Sequence, residues 1–98
     1  MNEIDFRTWL YDKGNSKKLA VDIISRVKRV EREIGDGDID EQYRNDKCER
    51  LIRMLSCRGL NPEMAQYPNA NLPIGKDYIA PYRRAVRLYA QFRTDALK

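Results

Sequence analysis

Between Ser16 and Gly35 the apolar positions Ala20, Ile23, Val27, Val30 and Ile34 recur in alternating steps of three and four, with Leu19 and Ile24 beside them. Lys18, Arg29 and Arg32 fall on the other side of the same segment. This spacing predicts an amphipathic helix with one buried seam and a basic outer stripe, capped at its start by Ser16 and stopped at Gly35. Upstream, Phe6, Trp9 and Leu10 at i, i+3 and i+4 predict a short first helix that begins after Asp5, ends near Gly14 and acts as a lid.

Beyond Gly35 the pattern is shorter. The run Gly35 to Asp40 reads as a turn, and Asp38 with Glu41 reads as a capping box for a third helix through Arg44. Asp46 with Glu49 reads as a second box, opening a fourth helix that turns Cys48, Leu51, Ile52 and Leu55 inward and ends near Gly59. Residues 61–77 hold three prolines, three asparagines and a glycine, with Met64, Tyr67, Leu72 and Ile74 spaced among them. They predict a long ordered surface loop held by a few apolar anchors, and loops of that length often carry function. A last helix is predicted from Tyr78–Pro81 to about Asp95, with Tyr82, Ala85, Val86, Tyr89 and Phe92 inward and Arg83, Arg84 and Arg87 outward. The expected fold is all-α: a compact bundle of four to five helices with one long loop, forming a single domain over residues 1–98. The apolar faces of the last two helices match the seam of the second, so a monomer is expected.

Composition narrows the chemistry. The chain contains no histidine, which removes Cys/His zinc sites, Ser-His-Asp and Cys-His nucleophile systems, and an imidazole general base. Cys48 and Cys57 fall about 13 Å apart along a single predicted helix, too far to bridge, and are expected as free thiols with Cys48 in the core. Asp36, Asp38 and Asp40 alternate like the start of a calcium loop, but Glu41 stands where the turn needs glycine and Lys47 where a bidentate glutamate is required. Gly35 and Gly37 do not form a phosphate-cradling motif. No cofactor, metal or catalytic activity is expected. No apolar run approaches the roughly 20 residues of a membrane helix, and the acidic start Met1 to Asp5 is unlike a signal peptide, so the expected location is cytoplasmic.

Charge is distributed unevenly. Residues 15–34 hold six basic and three acidic side chains and residues 78–98 five basic and one acidic, whereas residues 35–49 hold two basic and six acidic. Two basic helices sharing a face would contact phosphates without reading bases, and Lys18, Arg29, Arg32, Arg83, Arg84 and Arg87 are the residues expected to do so. On the second helix, Lys18 with Asp22, Asp22 with Arg26 and Arg29 with Glu33 also have the spacing of ordinary i, i+4 ion pairs. Of the six tyrosines, Tyr82 and Tyr89 are expected in the core, and Tyr11, Tyr43, Tyr67 and Tyr78 in recognition.

The pattern Phe6-x-x-Trp9-Leu10, Gly14-x-Ser16, the long helix to Gly35 and the closing Tyr82-x-x-Ala85-x-x-x-Tyr89-x-x-Phe92 resembles the SAM-like helical N-terminal domain of tyrosine recombinases and phage integrases. It is also similar to helical modules upstream of restriction-endonuclease-like nuclease domains. The resemblance implies a DNA clamp acting through basic helices, with catalysis confined to a separate domain that is not expected within residues 1–98. The loop at 61–77 and the acidic turn at 36–41 are departures from that pattern. The expectation is a non-catalytic accessory module, of phage or mobile-element origin, that binds double-stranded DNA. The alternative is an inhibitor of a nucleic-acid-handling protein, such as a bacterial defence nuclease in the manner of anti-CRISPR proteins, docking through Tyr67, Leu72, Ile74 and Tyr78.

Overall fold

The computed structural model describes residues 1–96. Lys98, counted above in the C-terminal basic surplus, lies outside them. Five α-helices follow one another: α1 (Glu3–Asp12), α2 (Lys17–Ile34), α3 (Ile39–Asp46), α4 (Glu49–Met54) and α5 (Ile79–Ala96), with single 3₁₀ turns at Cys57–Gly59 and Met64–Gln66. Among the described residues there is no strand, and no helix is long and apolar enough to cross a membrane.

Helix α2 forms as its pattern predicts. Ser16 Oγ accepts from the Leu19 amide at 3.1 Å, and all five seam residues are at most 2 % exposed. At its far end Gly35 approaches the backbone of Glu31 so closely that a Cβ would collide with the Glu31 carbonyl. The carbonyls left open at that end are taken up from a distance. Gln42 Nε2 donates to Gly35 O at 2.6 Å and Arg50 Nη2 to Ile34 O at 3.1 Å, so a buried amide and a partly buried guanidinium close α2. Helix α5 packs along α2, and α1 lies over both. Phe6 and Leu10 of α1 are fully buried, and Phe6 meets Tyr89 edge-on at 4.9 Å between ring centres and Phe92 at 5.4 Å. Trp9 at the edge of this cluster donates to Asp95 at 3.1 Å.

Several predicted boundaries shift. Helix α1 starts at Glu3 rather than after Asp5, and acidic Glu3 and Asp5 lie in its first turn, where the helix dipole favours them. Helix α3 continues two residues past Arg44. The Asp46/Glu49 pair does not open α4 as a capping box: Lys47 and Cys48 both adopt left-handed backbone (φ 57° and 66°), Cys48 is the cap residue, and Asp46 Oδ2 accepts from the Arg50 amide at 3.0 Å. Helix α4 ends at Met54 and not near Gly59: Ser56 turns to extended backbone, and Cys57, Arg58 and Gly59 follow with three consecutive positive φ angles. Cys48 and Cys57 therefore do not share a helix, although both are free, the first buried and the second exposed. Burial pushes the Cys48 thiol up to about 12. Titration with a thiol-reactive disulfide reagent is expected to modify one cysteine in the native protein and both in denaturant; prompt native reaction of both would place Cys48 outside the core.

Where α2, α3 and the chain start meet, the Met1 ammonium donates to Asp38 Oδ1 at 2.9 Å and lies 3.4 Å from Asp40 Oδ2 and 4.0 Å from Glu31 Oε2. The hydrogen bond from that ammonium holds the Asp38 carboxyl down at about 2, below its ordinary 3.8. Glu31 is displaced upward, chiefly by burial. A carboxylate whose folded value is depressed stabilises the fold above its unfolded value and loses that contribution as the pH falls through the folded one. Thermal stability is thus expected to decline between about pH 4 and pH 2. In thermal melts across that range, Asp38→Asn should lower the neutral-pH midpoint and flatten the acid limb; an unchanged limb would show that Asp38 does not contribute to it.

Candidate nucleic-acid interface

Helix α5 divides by helical periodicity into a core side, Ile79, Ala85, Val86, Tyr89 and Phe92, and an outer arc carrying Ala80, Arg83, Arg84, Arg87 and Gln91. Arg84 and Arg87 are exposed and Arg83 is half-buried. Among the described residues none of the three arginines pairs with a carboxylate; the α5 residues that do pair are Arg93 and Asp95, toward the helix end. The acidic groups lie behind α5, where the buried Tyr89 hydroxyl donates to Asp40 Oδ1 at 2.6 Å. Burial, and then that bond, raise the Tyr89 phenol above its usual value, so it stays a neutral donor.

The basic residues of α2 have separate surroundings. Lys18 is exposed, on the side of α2 away from its seam, and forms no ion pair among the described residues. Arg32 pairs with the neighbouring Glu33 at 3.0 Å. Arg29 does not make the expected i, i+4 pair with Glu33. Its Nε donates to Asn71 O at 2.7 Å, its Nη2 to Asn71 Oδ1 at 3.1 Å and its Nη1 to the Tyr82 hydroxyl at 2.6 Å. Glu33 instead accepts from the Asn71 amide at 2.7 Å, which lowers the Glu33 carboxyl below its usual value. Arg29 and Glu33 together fasten the long loop to α2. The Lys18–Asp22 and Asp22–Arg26 pairs are also not formed. Instead Arg26 lies at the edge of the seam and faces α5, where it shares a groove of about 330 Å³ with Arg84, walled by Ile23, Ala80, Pro81 and Ala85. Arg26 is the basic residue that reasoning from a stripe opposite the core overlooked. Its signal was its place beside Ile23 and Val30, the flank that a packed neighbour reaches.

The loop residues separate into different environments. Tyr67 and Ile74 line a shallow apolar hollow of about 620 Å³ with Leu60, Pro62, Ala65 and Pro68. Leu72 is only 8 % exposed and serves as a core anchor, so it is not available as a docking contact. Tyr78 is 70 % exposed and lines a different recess with Arg29, Lys76 and Tyr82. Tyr43, expected in recognition, is buried and its hydroxyl meets Thr94 Oγ1 at 2.9 Å. Tyr82, expected in the core, is only partly buried, and its hydroxyl accepts from Arg29.

Comparison with known protein families, curated proteins and solved structures finds no match to this chain. Among the described residues no group of three or more aspartate, glutamate or cysteine side chains is arranged to hold a metal ion. The candidate interface consists of three arginines on one helix arc and a fourth across a groove, none with a carboxylate partner among the described residues.

Proposed function

We propose that the protein is a non-catalytic DNA-binding accessory module that grips the phosphate backbone of a duplex through the outer arc of α5 and Arg26. The observation that carries this reading is the unpaired state of Arg83, Arg84 and Arg87 beside the Arg26–Arg84 groove. An arginine on an ordinary solvated helix is commonly within reach of a carboxylate one turn away, as Arg7 is of Glu3 at 3.6 Å; these three are not. Guanidinium groups without an internal partner are free to form bidentate contacts with phosphate oxygens. The resemblance to recombinase N-terminal domains is in keeping with such a clamp.

The apolar hollow at Leu60, Tyr67 and Ile74 favours a second reading, a protein partner such as a defence nuclease, because Leu60 is 64 % exposed beside it. The test is titration of a labelled duplex with the wild-type protein and the Arg83→Ala/Arg84→Ala/Arg87→Ala variant. Binding by the wild type that collapses in the variant supports the DNA reading; no wild-type binding at low salt transfers the function to the hollow.

A further inference from the structure

At the start of α5, next to the arginine arc, lies a recess of about 370 Å³ that combines aromatic rings with cationic groups. Its volume is within the roughly 300–1,000 Å³ of small-ligand sites. Tyr78, on its rim, is 70 % exposed, the most exposed aromatic side chain of the large apolar residues left on the surface. Tyr82, one turn further along α5, is covered by the Arg29 guanidinium at 5.5 Å from its ring centre. Arg29 is held rigid by its bonds to Asn71 and Tyr82, which use three of its five N–H donors and leave two unspent. Lys76 lines the same recess, is exposed, and forms no ion pair among the described residues.

The recess and the Arg26–Arg84 groove draw on interleaved positions at the start of α5. Ala80 and Pro81, between Tyr78 and Tyr82 in the chain, form the wall of the Arg26–Arg84 groove. The chain thus alternates between the two sites within five residues, Tyr78 to Tyr82. A base inside a duplex has both faces covered by its neighbours and cannot stack on such a ring, whereas an unpaired base can.

We infer that the recess receives an unpaired nucleotide, its base stacked on Tyr78 and its phosphate held by Lys76 and the two free donors of Arg29, so that the protein prefers duplex DNA with a single-stranded end. This rests on the DNA-binding reading above and specifies its substrate. The recess, more than the apolar hollow, suits a nucleotide because it offers a stacking face and positive charge together, the combination single-strand binders use.

The experiment compares a blunt duplex with the same duplex bearing a three-nucleotide overhang that contains 2-aminopurine, using anisotropy for affinity and 2-aminopurine emission for stacking. The wild type is expected to bind the overhang DNA about tenfold more tightly than the blunt duplex, with a change in emission on binding. Tyr78→Ala should abolish both the preference and the emission change while leaving blunt-duplex affinity unaltered, and Tyr78→Phe should retain both. Because Tyr78 is exposed, its replacement leaves the core intact. Equal affinity for the two DNAs, or a preference that survives in Tyr78→Ala, would overturn the inference while leaving the duplex reading standing. Binding to neither DNA at low salt would overturn both.

Discussion

Replacing Arg83, Arg84 and Arg87 together by alanine is expected to weaken binding to duplex DNA by about 100-fold at 0.15 M salt, and to lower the slope of log K against log salt by about 2.7. The magnitude follows from counterion release: each lost phosphate contact removes about 0.9 from the slope, and at this ionic strength three such contacts amount to about two decades of affinity. The fold should not suffer. Arg84 and Arg87 are exposed, Arg83 is half-buried without an ion-pair partner, and alanine is the better helix former. A thermal midpoint close to the wild type's, measured beside the binding loss, separates a lost contact from a lost structure. Arg29→Ala would be a poor substitute for this test, because Arg29 ties Asn71 and Tyr82 together and its loss would release the loop.

The largest effect on stability is expected from Phe6→Ala, at about 3–5 kcal/mol. Phe6 is fully buried and lies between Tyr89, Phe92 and Trp9, the last at 6.2 Å between ring centres. Truncation removes the ring's transfer energy and leaves a cavity bounded by rigid aromatics that cannot close around it. Against a total of about 5–15 kcal/mol for a natural domain, a loss of this size leaves little or no stable fold. Urea unfolding should register it, with Ile4→Ala as the control. Ile4 shares α1 but is 76 % exposed, and its replacement should change stability by about 0.5 kcal/mol or less. If Phe6→Ala proved as mild as the control, α1 would not be part of the core.

How far the sequence alone carries depends on the range of the interactions involved. Helix α2 was readable because its information is local: a serine cap, a seam in steps of three and four, and a glycine where a Cβ will not fit. The break between α3 and α4 was legible in its place but not in its backbone conformation. Lysine and cysteine have no preference for left-handed backbone, and Lys47 and Cys48 adopt it in a turn that seals Cys48 completely inside the core. The early end of α4 was hidden likewise, since Ser56 leaves the helix for extended backbone and Cys57 and Arg58 follow with positive φ. The outer arc of α5 was legible from its periodicity, but Arg29 was misjudged because its partners lie 42 and 53 residues away. Arg26 was missed for a related reason. A helical wheel separates core from solvent, whereas a groove between two helices is built from the flanks, and which flank receives a neighbour is decided by packing. Leu72 and Tyr78 were read alike as docking residues, yet one became an anchor at 8 % exposure and the other remained open at 70 %.

Contact of the α5 arginines and Arg26 with DNA phosphates is read out by the salt dependence of wild-type binding to a labelled blunt duplex. Four phosphate contacts predict a straight line of log K against log salt with a slope of about −3.6. A slope near zero, or no binding even at the lowest salt, would contradict it.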